Sequence, residues 1–180
     1  MLLAAGGGSR FSGASHKLLA DLRGRPVVAW ALGNVVAARL DETYVVTGAA
    51  DLSALIPAEA TRLDNPQWSA GIATSLAVAV DAADRAGHGA IVVGLGDQPF
   101  VPGAAWRAVG AAAGPIAVAT YDGRRGNPVK LDASTWPLLP RTGDEGARIV
   151  MHQRPDLVEE VACDGDPFDV DTVEDLIRWS

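Results

Sequence analysis

Cysteine is all but missing from this chain: Cys163 is the single one among 180 residues. One cysteine excludes an intramolecular disulfide framework and suits a reducing compartment. Cys163 itself reads as a half-buried strand residue rather than a nucleophile. Long apolar runs are missing too. No stretch of about 18 uninterrupted apolar residues occurs, so no membrane span is expected. The N-terminus shows neither the basic segment nor the long apolar core of a signal peptide, so the expected location is cytoplasmic. Positive charge is in deficit, with 15 Lys and Arg against 22 Asp and Glu and a formal net charge of −7. With no basic run either, nucleic acid is not expected as a partner, because backbone binding needs a cationic face. The three histidines, His16, His88 and His152, are widely spaced and form no metal-ligand pattern. No Cys/His or Ser/His pairing points to an acyl-enzyme. Internal repeats, low-complexity segments and linkers are likewise missing.

What is present is an alternation of short apolar runs with helical patterns. The length and the 48% hydrophobic content fit one domain, residues 1–180, with a sizeable core. Strands are expected at 2–5, 43–47, 61–63, 90–95, 116–121, 128–131 and 157–162. Helices are expected at 26–40, 52–56, 72–86, 102–113, 145–152 and 172–179. Pro26 sits in a first turn, where a missing N–H costs nothing. Leu76, Val80 and Ala83 recur at helical spacing. The last helix takes Asp171 or Thr172 as its N-cap. Alternating strands and helices predict an α/β fold, a mostly parallel sheet with helices on both faces. The segment 121–128, with Asp122-Gly123 at its tip, predicts a small antiparallel insertion.

Two strand ends carry the chemistry. Leu2 to Ala5 runs into Gly6, Gly7, Gly8, Ser9 and Arg10, with Lys17 beyond. Consecutive glycines let the backbone turn and approach a ligand closely. Freed N–H groups can cradle phosphate oxygens, and Arg10 and Lys17 can neutralise them. The spacing is neither Gly-x-x-x-x-Gly-Lys-Ser/Thr nor Gly-x-Gly-x-x-Gly. By itself the loop is equally a glycine-rich turn with two solvated cations. The second end is Gly96-Asp97-Gln98-Pro99, after the apolar run 90–95. In open α/β sheets ligands bind at the carboxyl ends of strands. Asp97 is therefore a candidate Mg²⁺ ligand, or the cap of the helix that follows.

With these residues, four further motifs resemble a known family. They are Asn65-Pro66-Gln67-Trp68-Ser69-Ala70-Gly71 followed by Thr74-Ser75-Leu76; Gly126-Asn127-Pro128-Val129; Gly143-Asp144-Glu145-Gly146-Ala147-Arg148; and Asp169-Val170-Asp171-Thr172-Val173-Glu174-Asp175-Leu176. In this order, over nearly the whole chain, they resemble the molybdenum cofactor cytidylyltransferases, small nucleotidyltransferases of molybdenum-cofactor maturation. Asn127 stands where similar proteins usually carry His, and Val173 where they carry Pro.

The resemblance implies a three-layer Rossmann-like fold of the nucleotide-diphospho-sugar transferase type. It implies transfer of a nucleoside monophosphate from an NTP to a phosphorylated, molybdopterin-type acceptor with release of pyrophosphate. Gly6, Gly7, Gly8 and Ser9 would wrap the triphosphate, Arg10 would meet the β- and γ-phosphates, and Lys17 the α-phosphate. Ala4 and Ala5 would lie against the base, and Ala-Ala-Gly there goes with CTP. Asn65 would contact the base or ribose, or else shape the turn before Pro66. Gly71 would permit close approach of the nucleotide. Ser75 would read the base, or face solvent. Asp97 and Asp169 would hold Mg²⁺, with Asp171 as second choice and whichever is left over capping the last helix. Asn127, Asp144 and Arg148 match segments facing the acceptor, although Asp144 also suits an N-cap and Arg148 an exposed helix face. A downstream molybdoenzyme or its chaperone would receive the product. The same motifs also suit a nucleotidyltransferase acting on a sugar phosphate or phospholactate, a divergent oxidoreductase of heteroaromatic compounds, or a non-catalytic nucleotide binder.

Overall fold

The computed structural model describes residues 1–13 and 15–179. Its elements run β1 (Leu2–Ala4), β2 (Asp21–Leu22), β3 (Arg25–Pro26), α1 (Val27–Ala37), β4 (Thr43–Thr47), β5 (Ala60–Asp64), α2 (Ile72–Ala86), β6 (Ala90–Leu95), α3 (Gly103–Ala111), β7 (Ile116–Tyr121), β8 (Arg124–Asp132), α4 (Arg148–Gln153), β9 (Val158–Ala162) and α5 (Val173–Trp179). Short 3₁₀ turns include Lys17–Leu19 and Trp68–Ala70.

Seven strands form one sheet in the order β5-β4-β1-β6-β8-β7-β9. All neighbouring pairs are parallel except the two made by β8, which runs against β6 and β7. A separate antiparallel pair, β2–β3, turns at Arg23-Gly24, both with positive φ. The three-residue β1 is central because it is buried throughout and pairs with both β4 and β6. Alternation along it sends Leu2 and Ala4 to one face and Leu3 and Ala5 to the other. The first pair packs with Val28, Leu32 and Val35 of α1 and Trp106 and Val109 of α3. The second packs with Leu76, Ala79 and Ala83 of α2 and Val150 and Met151 of α4. This is the expected three-layer architecture. Among the described residues no helix is long and apolar enough to cross a membrane.

Some boundaries differ from expectation, for local reasons. The hairpin at 121–128 is not an appendage. Its second strand runs to Asp132 and lies inside the main sheet, because Val129 and Leu131 are buried there. The register shifts between Val118 and Ala119, leaving Asn127 and Pro128 out of the ladder, as suits a proline with no N–H to donate. The helix expected from 145 begins at Arg148, since Gly143 and Gly146 both take positive φ. The last helix is capped by Thr172: its Oγ1 accepts from Asp175 N–H at 3.2 Å, and Asp175 Oδ2 accepts from Thr172 N–H at 2.8 Å. This reciprocal box leaves both Asp169 and Asp171 free of capping duty. The sequence reading had no β2–β3 hairpin.

Candidate active site

The carboxyl ends of β1 and β6 lie side by side, so the glycine loop and Asp97 face the same opening. Two joined cavities occupy it. One, of about 400 Å³, is lined by residues 3–10 together with Lys17, Trp68, Ser75 and Asp97. The other, of about 910 Å³, is lined by Asn127, Arg148 and Asp169 over an apolar floor that includes Leu76, Val129 and Met151. Arg10, Asp97, Asp144 and Asp171 line both.

The loop is shaped by its glycines where neighbours crowd it. A Cβ on Gly7 would meet the Trp68 ring at 2.7 Å, and Gly8 takes φ +62°. His16, to which the sequence reading gave no role, ties the loop down. Its Nδ1 accepts from Leu18 N–H at 3.3 Å, so Nε2 carries the proton and donates to Gly6 O at 3.0 Å. That bond holds the segment bearing Lys17 against the loop.

Lys17 Nζ bridges two carboxylates, Asp97 Oδ2 at 2.5 Å and Asp171 Oδ1 at 2.9 Å. Arg10 Nη1 takes the other oxygen of Asp171 at 2.9 Å from an exposed position. Burial by itself would lower the lysine pKa, but the charges and hydrogen bonds of Asp97 and Asp171 outweigh it and raise the value. Lys17 is therefore a fixed cation. Asp97 Oδ1 is buried and has no hydrogen-bond partner among the described residues. An acceptor oxygen with nothing to accept, on a carboxylate facing two cavities, fits a hard divalent cation. Asp169 is pushed up to about 6, first by desolvation and then by the charge of Asp97, with Asp171 adding to it. A dication near these three carboxylates would relieve that repulsion. No group of three or more His, Cys, Asp and Glu among the described residues is arranged to hold a metal by protein ligands alone. The remaining ligands would be water and substrate oxygens, the habit of Mg²⁺.

Gln98 joins the two banks of the larger cavity, a role the sequence reading did not give it. Its Nε2 donates to Pro167 O at 2.8 Å, and its Oε1 accepts from Asn127 Nδ2 at 3.0 Å. Tyr121 Oη donates to Asn127 O at 2.7 Å. The amide of Val170 donates to Asp97 O at 2.9 Å, stitching the segment of Asp169 and Asp171 onto the end of β6.

Of the residues singled out from sequence, Ala4 to Arg10, Lys17, Gly71, Ser75, Asp97, Asp144 and Asp171 come together in the smaller cavity. Asn127, Arg148 and Asp169 stand in the larger one. Asn65 stands in neither: it is buried behind the wall, hydrogen-bonded to Thr74, Ser75 and Gln67. Gly71 lines the smaller cavity, yet what crowds it is the chain itself. With φ +104°, a Cβ there would lie 2.3 Å from Gly143 O. Asp144 does not cap α4, which starts after Ala147. Trp68, Gln98, Arg125 and His152 line the site without having been singled out. Trp68 and Gln98 do lie inside the motifs at 65–71 and 96–99, which is the sequence signal for them.

Comparison with known proteins places the chain in a family. Residues 1–158 match the model of the MobA-like NTP transferase domain, so Asp169 and Asp171 lie beyond the matched span. Nicotine blue oxidoreductase of Paenarthrobacter nicotinovorans is 34% identical over 194 aligned residues, covering 99% of this chain and 94% of that protein. The crystal structure of Rv0371c from Mycobacterium tuberculosis superposes with a TM-score of 0.80 at 27% identity, covering 98% of this chain and 94% of the other. The same protein in complex with manganese gives 0.77 at 28%, covering 99% and 95%. Sequence and structure agree that this chain belongs to the MobA-like NTP transferase domain family.

Proposed function

We propose that this protein transfers a nucleoside monophosphate, preferentially CMP from CTP, to the phosphate of a molybdopterin-type acceptor in the cytoplasm. The observation that carries this reading is the seam between the cavities. There two cations, Arg10 and Lys17, face three carboxylates and an unpartnered oxygen of Asp97. The smaller cavity suits the nucleotide and the larger one the acceptor. Amides of Gly6 to Ser9 hold the triphosphate, and Arg10 meets its outer phosphates. Lys17 turns from the carboxylates toward the α-phosphate and offsets the charge that grows there. An acceptor phosphate oxygen attacks the α-phosphorus, the bond to the β-phosphate breaks, and pyrophosphate leaves. No covalent enzyme intermediate is needed; positioning and charge neutralisation carry the rate. Asp97, with Asp169 or Asp171, would hold Mg²⁺, which supplies charge neutralisation on the phosphates. Asn127 and Arg148 orient the acceptor.

The test is pyrophosphate release from CTP, ATP and GTP with molybdopterin and Mg²⁺. The expected result is turnover with CTP first. Asp97→Asn should lower it at least a hundredfold with the melting curve little changed. Unchanged release in Asp97→Asn would remove Asp97 from the metal site.

The relative in Paenarthrobacter nicotinovorans favours a second reading, oxidoreduction of a heteroaromatic compound bound in the larger cavity. That reading expects a change in the absorbance of such a compound in the presence of a reductant, without Mg²⁺ and without pyrophosphate. Asp97→Asn would then be tolerated. Running both assays on one preparation separates the two.

A further inference from the structure

Asn65 is 2% exposed, and its side chain is spent on three neighbours. Its Oδ1 accepts from Gln67 N–H at 2.9 Å. A backbone N–H can only donate, so the orientation of the amide is fixed and its nitrogen must face the start of α2. There Nδ2 donates to Thr74 Oγ1 and to Ser75 Oγ, each at 2.9 Å. The Thr74 hydroxyl passes its own proton to Gly71 O at 2.8 Å. Ser75 has no such outlet. Its oxygen already accepts, and among the described residues its proton has no acceptor. Yet Ser75 is 4% exposed and lines the smaller cavity. A buried hydroxyl with one proton to give, facing a cavity, is an unmet donor.

On this side the cavity is lined by Ala5, Trp68 and Ser69, and the charged group nearest the start of α2 is an anion, Asp144, which lies against Gly71. This wall belongs to the β4–β5 side of the sheet, through Asn65 N–H to Thr47 O at 2.8 Å. The charged groups Lys17 and Asp97 gather on the β6 side. A ligand with a neutral end and a polyanionic end is thereby oriented, with its base against Ser75.

We propose that Asn65 is a positioning residue for nucleotide selection: by donating to Ser75 Oγ it obliges the Ser75 hydroxyl to point its proton at the base, which must present a carbonyl or ring-nitrogen acceptor there. This rests on the reading of the smaller cavity as a nucleotide site. Asn65→Asp reverses the polarity. The new carboxylate still accepts from Gln67 N–H but also takes the Ser75 proton, leaving only lone pairs for the base.

The experiment is calorimetric titration of wild type, Ser75→Ala, Asn65→Asp and the double variant with Mg²⁺–CTP and with inorganic tripolyphosphate. Each single variant should bind CTP about three- to tenfold more weakly, the reach of one hydrogen bond, with tripolyphosphate affinity unchanged. The double variant should lose no more than either single one. Losses that multiply in the double variant, or that fall equally on tripolyphosphate, overturn the proposal. So does a Ser75→Ala protein with wild-type affinity for CTP, whatever the Asn65 variants do. If Asn65→Asp does not fold, Asn65→Ala takes its place, since it removes the donor that orients the Ser75 hydroxyl. Wild-type protein that binds neither ligand refutes the nucleotide reading itself, and this inference with it. Binding of CTP without a base-selective loss refutes this inference alone.

Discussion

Lys17 is the residue on which the site is built. Its ammonium bridges Asp97 and Asp171, and all three side chains are largely buried, at 11%, 17% and 20% exposure. Lys17→Met keeps the length and removes the charge, leaving two carboxylates facing each other. We expect a loss of about 1–3 kcal/mol in urea unfolding at pH 7, beside a severe loss of turnover. Asp169 is the opposite case. Its carboxyl titrates at about 6 in the folded protein, against about 3.9 in an unfolded chain. The folded state thus binds the proton more tightly, so ionisation weakens folding. The penalty is nil below about pH 4, grows between there and pH 6, and is complete above. Asp169→Asn should raise the urea midpoint at pH 7.5 and leave it unchanged near pH 4. Equal midpoints at both pH values would mean that solvent at the cavity rim already relieves the repulsion.

Elements place these residues more firmly than their own preferences do. The glycine loop follows β1, a strand of three residues that exists because β4 and β6 flank it. Asp171 reaches Lys17 because Thr172 and Asp175 close a capping box on α5 directly after it. Gly71 joins α2 to the segment 143–146. Ala73 N–H donates to Gly143 O at 3.0 Å, and Gly143 N–H to Ala70 O at 3.0 Å. A methyl on Gly71 would strike that carbonyl, and the positive φ alone costs a non-glycine residue about 1–3 kcal/mol. Gly71→Ala should therefore destabilise the fold and also displace Asp144 and Arg148, weakening acceptor binding more than nucleotide binding. A variant with wild-type melting and wild-type acceptor affinity would show that segment 143–146 needs no such anchor. From sequence, Gly71 was legible as a special glycine, but its reason was not: the atom that crowds it lies 72 residues further on. The hairpin at 121–128 was legible from Asp122-Gly123. The place of its second strand, β8, between β6 and β7 was not, because strand order is a matter of long-range pairing.

At the scale of the whole molecule, the smaller cavity is walled by β1 and its loop, the start of α2, the end of β6 and the C-terminal segment at Asp171. A ligand bridging so many parts stabilises them together. CTP with Mg²⁺ at a hundredfold excess over its dissociation constant should raise stability by about 2.7 kcal/mol, as one shifted unfolding transition. A second, unshifted transition would mean that the C-terminal segment unfolds on its own. The net charge of −7 opposes approach of a polyanion. Arg10 and Lys17, concentrated at one strand-end loop, therefore have to supply a local field that the molecule as a whole does not.

The amino-acid sequence by itself determined what depends on near neighbours along the chain. The apolar runs and helical spacings placed most strands and helices. The order of short motifs identified the family, and Gly6 to Arg10 and Gly96 to Asp97 marked the two strand ends that meet. Tertiary structure decided what depends on residues far apart. It paired Lys17 with Asp97 and Asp171 and left one Asp97 oxygen without a partner among the described residues. It put Asn65 behind the wall rather than on it, and it brought His16, Gln98 and Trp68 into the site. The physical reason is that a hydrogen bond or an ion pair has a direction and a reach of about 3 Å, and only the folded chain settles which side chains fall within it.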